Sequence, residues 1–162
     1  TARVPGTDGG PEFSCGLGGA LTAKPAWTAR ERALVAAARA VRPMAHAPYS
    51  RFKVGAAVRT RRGRVFSGCN VENASLGAGI CAERGAILQA VAAGMRPGDL
   101  AAVAVYTDTV RPTPPCGMCL QVLVEFGRDI DVLLAGPRGV VKRNLAELLP
   151  CPFTSFRQRG RR

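Results

Sequence analysis

Four residues in this chain have the types and spacing to do chemistry together: Cys81, Glu83, Cys116 and Cys119. Cys116 and Cys119 stand three apart at the start of a helical run, a spacing that puts both thiols on one helix face near its positive end. Thiols in that position ionise readily. Cys81 opens a second helical run in the same way, so the three could converge between two helix starts. Zinc takes such a soft ligand set, and three protein ligands leave a fourth position for water, which the metal acidifies. Glu83 follows Cys81 by two residues, close to such a metal without needing to bind it, where a carboxylate can move protons.

The C-x-x-C pair alone would fit a redox dithiol or half of a structural zinc knuckle equally well. A structural site does not need Glu83, and a dithiol redox site does not need Cys81. Cys69, at the end of an expected strand, remains a possible fourth thiol that would close the site. His46, the single histidine, has no ligand partner near it in sequence.

The elements that must position these groups follow from periodicity and punctuation. Thr28 and Glu31 form a capping box ahead of an alanine-rich helix that runs to Arg42, with Leu34, Val35, Ala38 and Val41 on one face, ended by Pro43. Phe52 to Val58 and Arg64 to Gly68 read as a hairpin turning at Gly63. A loop from Asn70 to Ile80 follows. The spacing then predicts a helix over 81–93, buried through Ala82, Ala86, Leu88, Ala90 and Val91, a strand over Leu100 to Tyr106, and a helix over Cys116 to Phe126. Strands at Ile130 to Leu134 and Val140 to Lys142 and a helical turn at Leu145 to Leu149 complete it. This order predicts a single-domain α/β fold, a mixed five-stranded sheet sandwiched by helices, with the two crossover helices joining neighbouring strands.

At 162 residues the chain is the size of one domain with a proper core. No apolar run approaches the roughly 20 residues of a membrane span, which argues against a membrane protein. Residues 1–25 are rich in Gly and Pro without a period and read as a disordered leader; 157–162 (RQRGRR) read as a basic tail, leaving 26–156 as the working domain. No basic start followed by an apolar stretch suggests a secretory signal, so a cytoplasmic protein with reduced cysteines is expected, and metal ligation is the better use for clustered thiols. The formal net charge of +12 would attract phosphate. Only three of the 23 basic residues are Lys, however, and the charges are scattered, as GC-rich coding would produce. No basic stretch is interleaved with aromatics, so a nucleic-acid partner is not expected.

Zinc-dependent nucleobase deaminases share three His or Cys ligands, a glutamate that is not a ligand, and a downstream P-C-x-x-C. Here the corresponding pieces are Cys81-Ala82-Glu83 and Pro115-Cys116-Gly117-Met118-Cys119. With Pro48-Tyr49-Ser50-Arg51-Phe52-Lys53-Val54-Gly55-Ala56-Ala57, Gly68-Cys69-Asn70-Val71-Glu72-Asn73-Ala74-Ser75 and Leu148-Leu149-Pro150-Cys151-Pro152-Phe153, the chain resembles the small, homotetrameric type of cytidine deaminase over about residues 26–153. The resemblance implies zinc-dependent hydrolytic deamination of cytidine and deoxycytidine to uridine and deoxyuridine plus ammonia, in pyrimidine salvage. It implies one Zn2+ per subunit on Cys81, Cys116 and Cys119, with Glu83 as the proton shuttle. Asn70 and Glu72 would bind the ribose, and Phe52, Ala74, Leu76 and Ala82 would line the nucleoside pocket. Phe153 would cover a base in a neighbouring subunit's site. The chain departs from the family's usual pattern at Leu76, where an aromatic is usual, and at Gly85, Met118 and Leu120. Those changes keep open a second substrate class, a modified aminonucleoside such as a cytosine-nucleoside antibiotic. The loss of a second Arg leaves Arg84 as the evident cation near three thiolates, able to draw charge off a ligand sulfur.

Overall fold

The structure, a computed structural model, describes residues 27–154, so the expected leader and basic tail lie outside the described residues. Thr28 starts the first helix as its spacing to Glu31 predicts. Its hydroxyl accepts from the Glu31 amide at 3.1 Å, and the Glu31 carboxylate accepts from the Thr28 amide at 2.8 Å. Helix α1 runs Ala29–Val41 and passes into a single 3-10 turn, Arg42–Met44, whose first positions accommodate Pro43.

Strands β1 (Gly55–Thr60) and β2 (Val65–Cys69) form the expected hairpin, with Gly63 at φ 85° in the turn. The ladder starts three residues later than the β-prone run at Phe52. The side chain of Asn70 is the reason: its Oδ1 accepts from the Val54 amide at 2.8 Å and its Nδ2 donates to the Phe52 carbonyl at 2.9 Å, committing those groups to an amide instead of a strand. Helix α2 (Ala82–Ala92), β3 (Leu100–Tyr106), α3 (Gly117–Phe126), β4 (Asp131–Gly136), β5 (Gly139–Asn144) and the short α4 (Leu145–Leu148) follow.

The five strands are ordered β2-β1-β3-β4-β5. Helix α3 joins the parallel neighbours β3 and β4, as expected. Helix α2 does not join neighbours: β1 lies between β2 and β3, paired antiparallel with both, so α2 must pass over it. Periodicity reports which residues are helical and says nothing of which strand a hairpin leaves in between.

Helix α1 covers one face of the sheet, with Leu34 and Ala38 against Ala57, Ala102, Ala104 and Leu133. On the other face Ala82, Ala86, Ile87 and Ala90 of α2 and Leu120 and Leu123 of α3 pack with Ala56, Val58, Val103, Val105 and Leu134. Leu88 was expected in that stripe but is 59% exposed. It stands about 200° around the helix from Ala86, at about 100° per residue, and so faces away. Helix α2 lies directly on β2 because Gly68 has no side chain. A Cβ there would come within 2.4 Å of the Ala86 amide nitrogen and 2.6 Å of the Ala82 carbonyl oxygen.

Candidate active site

Helices α2 and α3 start side by side, and each begins with a cysteine at its N-cap: Cys81 for α2 and Cys116 for α3. Neither side chain caps its helix, so both thiols are available for something else. Cys119, one turn into α3, is fully buried. The three sulfurs all lie within 4.8 Å of one another, and Cys81 Sγ and Cys116 Sγ are 4.0 Å apart, too far for a disulfide. Four ligands placed tetrahedrally about a zinc ion, with Zn–S bonds of about 2.3 Å, hold their sulfurs about 3.8 Å apart. The thiol cluster fits that metal. His46 and Cys69 are not part of it. His46 is instead engaged through its backbone, bridging to Val71.

The surroundings of the two α3 thiols act on them in opposite directions. Burial pushes the Cys119 thiol far up, and the nearby Glu83 and Cys81 charges add to this. Burial also opposes ionisation of Cys116, yet hydrogen bonds from the Cys119 backbone and thiol outweigh it and leave Cys116 below its ordinary value. A buried thiol of this kind gives up its proton when a cation arrives, which couples metal binding to proton release.

Glu83 is 4% exposed in the first turn of α2. Burial raises its carboxyl above the usual carboxylate range, against the smaller lowering effects of its own backbone amide, Cys119 and Arg84. A carboxyl shielded from water in this way holds a proton more readily than an exposed one, which suits a group that must take and return protons. Arg84 Nη2 donates to the Gly79 carbonyl at 2.9 Å and to Cys81 Sγ at 3.7 Å, so this cation beside the cluster is fixed in place by a backbone oxygen.

Asn70 and Glu72 lie in the loop between β2 and α2. Besides its two bonds to the backbone of Phe52 and Val54, Asn70 keeps one N–H and one lone pair. Glu72 Oε2 accepts from the amides of Tyr49 at 3.0 Å and Ser50 at 3.1 Å, and Oε1 accepts from the Ser50 hydroxyl. The Ser50 hydroxyl, with those amides, holds the Glu72 carboxyl below its ordinary value. Ser50 also accepts from the Phe52 amide at 3.0 Å, and next to it Arg51 adopts φ 58°. Ser50 thus ties the loop before β1 to Glu72, a role that nothing in its spacing predicted, because its partner is 22 residues away. The Pro-Tyr-Ser-x-Phe segment was the available signal.

Phe52 is 40% exposed, Leu76 83% and Phe153 60%, and Ala74 is exposed as well. Ala82 is fully buried in the core, so any contact with a ligand there falls to its backbone. Among the described residues no helix is long and apolar enough to cross a membrane.

Comparison with known proteins agrees with this geometry. Residues 28–134 match the family described as the cytidine and deoxycytidylate deaminase zinc-binding region. The chain is 47% identical over 113 residues to a cytidine deaminase of Halalkalibacterium halodurans, spanning 68% of this chain and 84% of that one. It is 35% identical over 108 residues to a blasticidin-S deaminase of Bacillus cereus, spanning 62% of this chain and 76% of that one. The crystal structure of a cytidine deaminase from Burkholderia pseudomallei superposes with a TM-score of 0.73 at 51% identity, covering 75% of this chain and 98% of that one. On the family match over residues 28–134 and these likenesses, the chain belongs to the cytidine deaminase family of hydrolytic enzymes.

Proposed function

We propose that the protein converts cytidine and deoxycytidine to uridine and deoxyuridine with release of ammonia, using one zinc ion held by Cys81, Cys116 and Cys119. The observation that carries this reading is the three sulfurs within 4.8 Å of one another at two helix starts, with the buried carboxyl of Glu83 on the first turn of one of them. When bound, zinc supplies a Lewis acid that lowers the pKa of a water molecule.

Glu83 accepts a proton from the attacking water and delivers it to N3 of the pyrimidine ring, which makes C4 electrophilic. The water oxygen bonds to C4. Glu83 then passes the second water proton to the exocyclic amine, the C4–N bond breaks, and ammonia leaves. The first-turn amides of α2 and α3, one of them that of Ala82, lie at the positive ends of their helices and favour the negative charge that develops on oxygen. Arg84 draws charge from Cys81 Sγ and so helps keep the water acidic.

Asn70 and Glu72 bind the sugar in this reading. A 3′-hydroxyl can accept from the remaining Asn70 N–H while donating to the remaining lone pair of Glu72 Oε1. Phe52, Ala74 and Leu76 line the nucleoside. The exposure of Phe52, Leu76 and Phe153 supports a homotetramer in which neighbouring subunits complete each site, Phe153 covering a neighbour's base. Free nucleosides as substrates and reduced thiols suit pyrimidine salvage in the cytoplasm.

The test is an ultraviolet assay of cytidine and deoxycytidine turnover by zinc-loaded protein. Glu83→Gln is expected to retain zinc and lose nearly all turnover, and an active Gln variant would sink the assigned role. A second reading, deamination of a modified aminonucleoside, rests on Leu76 standing where an aromatic wall is usual and on the likeness to the blasticidin-S deaminase. Including cytosine-nucleoside antibiotics in the assay decides it: a higher kcat/KM for one of them than for cytidine favours that reading.

A further inference from the structure

The side-chain amide of Gln121 holds the backbone of Phe153 at both its polar groups. Gln121 Nε2 donates to the Phe153 carbonyl at 2.7 Å, and the Phe153 amide donates to Gln121 Oε1 at 3.1 Å. This is the pairing a neighbouring strand would offer, supplied by one side chain. The segment needs such a substitute. Pro150 and Pro152 have no amide hydrogen, so the stretch between the end of α4 and Phe153 has few donors with which to join a ladder. Leu148 and Leu149 pack against the core just before it, and the 60% exposure of Phe153 is then that of an anchored residue.

Gln121 sits on α3 two residues beyond Cys119. At about 100° per residue it stands about 200° around the helix from that buried sulfur. Met118, three residues before Gln121 and on its flank of the helix, is 62% exposed. The backbone of Phe153 is therefore held by a residue on the side of α3 turned away from this chain's own Cys119.

The geometry points to Gln121 as a positioning residue for the reaction: its amide fixes the C-terminal segment so that Phe153 is presented, already ordered, to the nucleoside site of a second copy. This rests on the reading of Phe153 as the residue that covers a neighbour's base. Preorganisation of this kind lowers the entropy lost on binding and affects substrate affinity more than the chemical step. Cys119 and Gln121 share a helix, so the element that carries a metal ligand for one site also aims an aromatic at another.

The test compares Gln121→Leu, Phe153→Ala and the double variant in zinc-loaded protein, by steady-state kinetics with cytidine and by zinc content per chain. Losing two neutral hydrogen bonds is expected to raise KM roughly tenfold in Gln121→Leu, with kcat changed less than about twofold and zinc unchanged. The double variant is expected to match Phe153→Ala, because a latch with nothing to hold has no effect. Amide hydrogen exchange gives an independent reading: the Phe153 amide is expected to be protected in the parent protein and to lose protection in Gln121→Leu while the amides of β3 keep theirs. A fall in kcat or zinc content at unchanged KM, additive losses in the double variant, or an unprotected Phe153 amide in the parent each overturns the proposal. If Phe153→Ala is impaired and Gln121→Leu is not, the latch fails alone. If neither variant alters KM in an enzyme that turns over cytidine, the base-covering reading of Phe153 fails with it.

Discussion

Arg84 shows how much of the site depends on single contacts. Its Nη2 spans the Gly79 carbonyl and Cys81 Sγ, so removing the guanidinium takes away both the charge and the bond that orients it. Partners at this distance from a metal are generally worth 10–100-fold in affinity or rate. Arg84→Gln is expected to weaken zinc binding by roughly tenfold or more, measured by competition with a chromophoric chelator. Unchanged affinity together with unchanged turnover would count against the role. The sulfurs and Glu83 were legible in the sequence as two short-range pairs, Cys81 with Glu83 at the start of α2 and Cys116 with Cys119 at the start of α3. Ser50 and Gln121 were not, since each acts on a residue 22 or 32 positions away and has an ordinary polar type. Burial opposes ionisation of Cys119, an effect that spacing does not report.

The elements that carry the site are held by local devices that differ in how visible they are. The Thr28 capping box was legible because its residues are three apart, and Thr28→Ala is expected to cost about 1 kcal/mol and lower Tm by a few degrees. The same box sets a pH response. Hydrogen bonds from Thr28 and contacts with Lys142 bring Glu31 from 4.5 down to about 2, so its contribution is fully present above pH 4.5 and is lost as pH falls from there toward 2. Acid titration of stability should show that loss, and Thr28→Ala should shrink it. Strand β3 was legible to its last residue because it is buried on both faces and reads as a continuous apolar run. The crossover of α2 over β1 was not, nor was the contact that seats α2 on the sheet. Gly68→Ala would drive a methyl group to within 2.6 Å of two backbone atoms of α2. Since backbone cannot swing aside as a side chain can, α2 must lift and carry Cys81 with it. The variant is expected to lose 1–3 kcal/mol or more in chemical denaturation and to bind zinc less tightly in the folded fraction. A Gly68→Ala protein with parental stability and zinc affinity would refute this seating.

At the scale of the whole molecule, two features oppose each other. Met44, Tyr49, Phe52, Leu76, Met118 and Phe153 are all large, apolar or aromatic, and at least 40% exposed. They come from the loop before β1, the loop between β2 and α2, the start of α3 and the C-terminal segment, four stretches that also supply or flank the site. Exposed apolar side chains of this size favour association. Against it stands a formal net charge of +12 per chain, which makes copies repel. Apolar contacts gain nothing from dilute buffer, whereas the repulsion weakens as salt shortens the Debye length from about 30 Å at 0.01 M to about 8 Å at 0.15 M. Association is therefore expected to strengthen with salt, the reverse of the behaviour of a protein held together by ion pairs. Light scattering on size-separated protein should show larger assemblies, up to four copies in the proposed tetramer, at 0.15 M than at 0.01 M salt. If neighbours complete the site, specific activity should follow the assembled fraction as protein is diluted at low salt. Leu76→Asp, which places a charge on an exposed apolar loop, should shift the population toward single chains at any salt concentration. A fully active monomer at low salt would show that each chain has a complete site of its own and that these apolar residues serve something other than assembly.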